Sequence, residues 1–208
     1  MGHEVRVKIC GISSVEDGIL CAGEGAEMLG FVLYPGSKRY IPLERAVEVI
    51  KGLPAGVTKV AVVVNPGLKE INNITRSGSF GMIQLHGEES PEFCAATSLP
   101  VIKAFRVHPG FDFSMVQAYG GAIPLFDSFS KEERGGTGKE FDHSLIPRHF
   151  RGKFILSGGL SPENVVEAVK KTLPMAVDLS SSLEAAPGRK DPEKVKRFFD
   201  ILRKETLI

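Results

Sequence analysis

Cys10 ends a short apolar run and is followed directly by Gly11, while Asp127 ends another and is followed by Ser128. A thiol and a carboxylate leaving strands in this way would face a ligand, and the thiol's reactivity would follow its ionisation. Arg39 comes after Ser37 and Lys38, and its planar fork could clamp a carboxylate. In LSGGLSPENV, Gly158 and Gly159 precede Pro162 and Glu163, a helix start, so bare backbone N–H groups would point at an anion. LSSSLEAAPG supplies a second loop of small polar residues, Ser180, Ser181 and Ser182. His86 and Asp178 complete a polar set distributed over the ends of several apolar runs.

The stretch GGTGKEFD suggests a different chemistry, a loop wrapped around a nucleotide phosphate. That pattern needs a Gly where this chain has Glu133, and a magnesium-binding Ser or Thr where it has Glu140. An acidic side chain there repels the polyanion and offers no hydroxyl, so a nucleotide site is rejected. An anion site is expected instead at Gly158 and Gly159 and at Ser180 to Ser182.

Each candidate has a plainer reading. A free cysteine is usually a small buried apolar group, which is the expectation for Cys21 and Cys94 within helical stretches. Asp127 could be a turn residue, His86 a hydrogen-bonded loop histidine, and Arg39 part of a solvated loop. What sets Cys10 apart is its place, at a strand end and before a glycine.

The elements that must position these residues are legible as an alternation of β-branched runs with amphipathic stretches. Strands are expected over 5–9, 28–33, 59–64, 81–87, 101–107, 122–128, 153–159 and 175–182. The run KVAVVV is apolar on both faces, as in a parallel sheet covered by helices. Helical stretches follow most of these runs, and DPEKVKRFFDILRKE closes the chain with apolar residues at helical spacing. The weakest helical stretch is FDHSLIPRHF, where Pro147 limits a helix to a turn or two. Eight such units in 208 residues, without a linker, predict an α/β fold, a single-domain (β/α)8 TIM barrel over 1–208. A doubly wound open sheet is the alternative, and in both folds ligands sit at the carboxyl ends of the strands.

Composition bounds the partners. The chain is 42% hydrophobic and 25% charged, with a formal net charge of +1, which supplies no global field for nucleic acid. Three cysteines with no metal-ligand spacing argue against a disulfide framework and suit a reducing, cytoplasmic compartment. MGHEVRVKICGI has no apolar signal core, and no segment approaches the ~20 apolar residues of a membrane span. The expectation is a soluble, unprocessed chain without a membrane or nucleic-acid partner; its oligomeric state is not legible.

The blocks KICGI, GFVLYPGSKRYI, VVVN, IQLHGEES, FDS, GGTGKEFD, LSGGLSPENV and VDLSSSLEAAPGRKD occur in the order found in the phosphoribosylanthranilate isomerases of tryptophan biosynthesis. The chain resembles that family over nearly its whole length. The resemblance implies a (β/α)8 barrel that needs no metal or organic cofactor and takes a small phosphosugar, N-(5-phosphoribosyl)anthranilate. It implies Asp127 as general acid, Cys10 as general base, Arg39 on the anthranilate carboxylate, and His86 and Asp178 near the sugar. Gly158, Gly159 and Ser180 to Ser182 would hold the phosphate, and GGTGKEFD would be a loop covering the sugar end. For these roles Asp127 must be protonated and Cys10 ionised, the reverse of their ordinary preferences.

Three positions depart from the family pattern. Ser182 stands where a glycine is usual, His143 where a Trp is usual, and Glu27 where an Asp is usual. If the glycine position needs a positive φ, Ser182 would strain the phosphate loop. Competing readings are the sister isomerase of histidine biosynthesis, a bifunctional enzyme serving both pathways, an indoleglycerol-phosphate synthase and a non-catalytic phosphosugar-binding barrel. Cys10 at the first strand end argues against the first two, the lack of catalytic lysines and of a longer N-terminal segment against the third, and the presence of both Cys10 and Asp127 against the last.

Overall fold

The computed structural model describes residues 4–128 and 145–208. Its centre is a closed parallel barrel whose strands pair in chain order, as the alternation predicted. The strands are β1 (Arg6–Cys10), β2 (Met28–Val32), β3 (Thr58–Val63), β4 (Met82–Leu85), β5 (Val101–Val107), β6 (Ile123–Ser128), β7 (Ile155–Leu156) and β8 (Ala176–Leu179). β8 pairs back onto β1 with Lys8 opposite Asp178, which closes the ring.

Side chains alternate between the two faces of each strand, so the barrel has two separate cores. Val7, Ile9, Leu29, Phe31, Ala61 and Val63 face outward and pack in the larger core beneath the helices. Met28, Val32, Val60, Val62, Ile102, Ala104, Leu125, Ile155 and Ala176 fill the inside. The same alternation places Lys8, Cys10, Gln84, Arg106, Asp127 and Asp178 in inward positions, the last five near the carboxyl ends. The mouth of the barrel is therefore polar because the inward row changes composition at its upper end.

The surrounding helices are α1 (Val15–Glu24), α2 (Leu43–Lys51), α3 (Leu68–Arg76), α4 (Pro91–Ala95), α5 (Val165–Thr172) and α6 (Pro192–Lys204). Their ends follow local rules. Ser14 caps α1 by accepting from the Asp17 N–H, and Gly25 ends it at φ 119°. Asp191 caps α6, with Pro192 in its first turn. Phe198, Phe199, Val195 and Leu202 of α6 are buried against the barrel.

Several elements differ from the sequence expectation. α3, with a helical apolar pair at Ile71 and Ile74, was not read from sequence. α4 is a helix of only five residues, and Phe113–Tyr119 is a 3₁₀ helix. β7 is assigned only two residues: the Ser157 N–H still donates to the Phe126 carbonyl of β6 at 2.9 Å, and the chain then turns at Gly158 and Gly159, at φ 88° and 68°. The next helix starts at Val165, directly after Asn164, and not at Pro162. Between β6 and β7 the described residues include a short 3₁₀ turn at Arg148–Phe150, directly after Pro147. GGTGKEFD and His143 lie outside the described residues. Beyond β8 a small hairpin, β9 (Glu184–Ala186) and β10 (Arg189–Lys190), folds back over the mouth, and it was not anticipated.

Candidate active site

One cavity opens at the carboxyl ends of the strands, and its lining includes Cys10, Arg39, His86, Asp127, Gly158, Gly159, Asp178, Ser180 and Ser181. Ser182 is not in that lining; its hydroxyl is buried without a hydrogen-bond partner. Its backbone is not among the positive-φ residues, so the departure from glycine brings no left-handed strain. Glu27 is exposed at the start of β2, the end of the barrel away from the cavity. Among the strand-end residues, Asn65 serves structure instead. It adopts φ 47°, and its Oδ1 accepts the Glu88 N–H at 2.7 Å.

Cys10 is partly exposed at the top of β1, over Gly30 of β2. A Cβ on Gly30 would lie 2.8 Å from the Cys10 sulfur and 3.1 Å from the Lys8 ammonium, so the missing side chain leaves space for both. Lys8 is fully buried, with its Nζ 2.9 Å from Asp178 Oδ2. Burial alone would lower the lysine pKa; Asp178 and Cys10 outweigh it and raise it, so Lys8 remains an ammonium. Burial also pushes the Cys10 thiol up, opposed by Lys8 and Lys190 and reinforced by Asp178. The ionised state demanded of a base is therefore resisted by burial and supported by two lysines.

The hairpin after β8 supplies partners that sequence reasoning missed. Glu184 accepts from Arg39 Nε at 2.8 Å and from Nη2 at 2.7 Å, a bidentate pair. It also accepts from Lys190 Nζ at 3.1 Å. Lys190 in turn donates to the Cys10 carbonyl at 2.7 Å, where Ser180 Oγ also donates at 3.0 Å. The Glu184 hydrogen bond raises the Arg39 pKa further. Burial would raise the Glu184 pKa, but Arg39 and Lys190 hold it below the ordinary carboxylate value. Arg39 and Cys10 are thus fixed to each other through one buried network.

On the opposite wall, His86 lies between two partners. Gln84 Nε2 is 2.8 Å from His86 Nδ1, and His86 Nε2 is 3.2 Å from Asp127 Oδ2. The tautomer of His86 sets which ring nitrogen donates and which accepts between Gln84 and Asp127. The loop bearing His86 is held from behind by a buried ion pair, Lys103 Nζ to Glu89 Oε2 at 3.0 Å. Lys103 also donates to the Gly87 carbonyl at 2.7 Å, and Glu89 accepts from the N–H groups of Asn65 and Gly87.

Sequence carried a signal for one of the missed residues. Lys8 alternates with apolar neighbours inside a buried strand, where an unpaired polar group is expensive. Glu184 and Lys190 carried none, since their role depends on the hairpin folding back. Among the described residues no three His, Cys, Asp or Glu side chains gather into a metal-binding set. Among the same residues no helix is long and apolar enough to cross a membrane.

The fold agrees with comparisons to known proteins. A family model described as N-(5'phosphoribosyl)anthranilate (PRA) isomerase matches residues 7–201. The N-(5'-phosphoribosyl)anthranilate isomerase of Citrifermentans bemidjiense is 42% identical over 205 residues, covering 98% of this chain and 99% of the relative. The phosphoribosyl anthranilate isomerase structure from Thermotoga maritima superposes with a TM-score of 0.87 at 40% identity, covering 96% of this chain and 99% of that one. A structure of such an isomerase in complex with reduced 1-(o-carboxyphenylamino)-1-deoxyribulose 5-phosphate superposes at 0.84 with 39% identity, covering 96% and 99%. The chain therefore belongs to the N-(5'-phosphoribosyl)anthranilate isomerase family.

Proposed function

We propose that this cavity isomerises N-(5-phosphoribosyl)anthranilate to 1-(2-carboxyphenylamino)-1-deoxyribulose 5-phosphate, the Amadori step of tryptophan biosynthesis, in the cytoplasm. The observation that carries the reading is a thiol and a carboxylate facing one cavity, between an arginine and two glycine- and serine-containing loops. A product analogue bound to a relative of the same fold supports a phosphosugar ligand. The unpaired state of Cys10, Cys21 and Cys94 suits a reducing compartment.

The chemistry assigns one task to each end. Asp127 protonates the furanose ring oxygen; the bond from that oxygen to C1 breaks, and the anilino nitrogen's lone pair forms the Schiff base. Cys10 thiolate then takes the C2 proton, the C2–H electron pair becomes the C1–C2 double bond, and the iminium nitrogen is neutralised. The resulting enolamine tautomerises to the ketone. Arg39 carries donors beyond the two bound to Glu184, and these engage the anthranilate carboxylate. Gly158, Gly159, Ser180 and Ser181 receive the phosphate, with Ser182 behind them, while Asp178 and His86 face the sugar.

Loss of substrate fluorescence with freshly generated phosphoribosylanthranilate tests the reading, with Cys10→Ser and Asp127→Asn as folded controls. Turnover by the intact chain and a fall of about 10²-fold or more in kcat in both variants is expected. Absence of turnover together with tight binding of a product analogue would replace it with a binding barrel.

A further inference from the structure

The environment of Cys10 contains a group that the acid and base assignments leave unused. Lys8 lies one inward position below Cys10 on β1, with no solvent exposure. A buried ion pair such as Lys8–Asp178 is a poor source of stability, because well-packed apolar side chains would serve the barrel interior as well or better. Nor does the pair satisfy its members, since Asp178 Oδ1 is buried without a hydrogen-bond partner. The Lys8 ammonium also abuts the Cys10 sulfur across the space that Gly30 leaves open.

We propose that Lys8 is a positioning residue for the isomerisation: its ammonium holds the Cys10 sulfur at the cavity and compensates the thiolate that removes the C2 proton. This rests on the isomerase reading of the cavity. The charges around the sulfur favour it. Lys8 of β1, Lys190 of β10 and Arg39 after β2 are three cations, against the carboxylates of Asp178 on β8 and Glu184 on β9. Asp17 of α1, also buried, accepts from the Lys190 N–H at 3.0 Å and balances the third cation, so the Lys8 ammonium, shared between Asp178 and the sulfur, is the charge placed to meet a thiolate. Asp127, His86 and Arg106 face the cavity from the opposite strands. Burial disfavours the thiolate, and the Lys8 ammonium beside it offsets part of that cost.

Lys8 keeps its proton throughout. As the S–H bond forms and the C2–H bond breaks, the negative charge on sulfur moves into the substrate, where it cancels the iminium. Lys190 complements this by gripping the Cys10 carbonyl, which fixes the backbone from which the sulfur projects. Lys8 and Asp178 are direct partners across the β1–β8 seam.

The test measures the pH midpoint of iodoacetamide alkylation at Cys10, located by mass spectrometry, in the intact chain and in Lys8→Met, Lys8→Arg and Asp178→Asn. Cys21 and Cys94 are buried and serve as internal references. In Lys8→Met the Cys10 midpoint is expected to move up, with a fall of about 10²-fold in kcat and little change in product-analogue affinity. Lys8→Arg retains the charge and should keep the midpoint well below that of Lys8→Met. In Asp178→Asn it should move down, because the lysine is left with the thiolate as its anionic partner. Loss of structure would not shift the two neutralising variants in opposite directions. If Lys8→Met does not fold, the Asp178→Asn midpoint decides, and an unchanged or raised value overturns the proposal. An unchanged midpoint in a folded Lys8→Met does the same. The alkylation midpoint requires no turnover, so failure of the isomerase reading would show separately as an inactive intact chain.

Discussion

Arg39 is engaged before any substrate arrives: its Nε and Nη2 donate to the two carboxylate oxygens of Glu184 at 2.8 and 2.7 Å. The pair holds the guanidinium plane in one orientation, so that its remaining edge is what a ligand meets. Glu184→Gln removes the charge that fixes this plane. The expected result is a rise in KM of about tenfold, the equivalent of one lost hydrogen bond, with a smaller change in kcat. Steady-state kinetics in the fluorescence assay would show it, and an effect confined to kcat would refute the orienting role.

Glu184 also predicts how stability changes with pH. Its folded pKa lies below the ordinary carboxylate value of 4.5, because Arg39 and Lys190 overcome burial. Its stabilisation is therefore fully present above the unfolded value and is lost as pH falls through the folded one. Urea unfolding of the intact chain should show decreasing stability below about pH 4.5, and Glu184→Gln should lose less over the same interval. Parallel pH curves for the two proteins would contradict the assignment.

At the alkaline end the thiols act in the opposite sense. Burial raises the Cys10 pKa and brings Cys21 to about 12, above the unfolded value of 9.0. The stability that comes from keeping both groups neutral is present below pH 9 and falls as pH rises beyond it. Cys21→Ala should flatten that decline, read by denaturant titration between neutral and alkaline pH.

His86 is oriented by Gln84, whose Nε2 lies 2.8 Å from its Nδ1. Gln84→Leu preserves bulk in the barrel interior but leaves Nδ1 without this hydrogen-bond partner. Loss of one hydrogen bond at about 1 kcal/mol corresponds to roughly a five- to tenfold fall in kcat if His86 must hold Asp127 in line. A shift in the kcat pH profile should accompany it, and a variant with the parental profile would remove Gln84 from the chain of contacts.

Lys103 and Glu89 support the His86 loop from outside the barrel, at 3% and 2% side-chain exposure. Truncating one partner leaves the other charge buried and unpaired, so Lys103→Met should cost about 3–5 kcal/mol. Thermal or urea unfolding measures the cost directly. Hydrogen exchange at the Gly87 and Asn65 amides, both bonded to Glu89, should rise in the same variant.

Much of this protein was legible in order along the chain. Alternating apolar runs and amphipathic stretches marked all eight strands, and turns placed Cys10, His86, Asp127, Gly158 and Gly159 at strand ends. Such features depend on local rules, the period-2 alternation of strands and the conformational needs of turns, which a sequence states directly. α3 escaped notice because its polar helix face left only Ile71 and Ile74 as buried markers. The division between Ser181, which lines the cavity, and Ser182, which does not, is a matter of side-chain direction in three consecutive identical residues. Composition cannot distinguish them.

The sequence by itself determined which chemical groups reach the mouth of the barrel; the tertiary structure decided what surrounds them. Lys8 meets Asp178 across 170 residues, and Arg39 meets Glu184 across 145. The Lys8 contact exists because closing the ring puts β8 beside β1, and the Arg39 contact because the β9–β10 hairpin folds over that seam. Electrostatic environment falls off within a few ångströms and depends on burial, so it is a property of the closed barrel and is not written in any local stretch of chain.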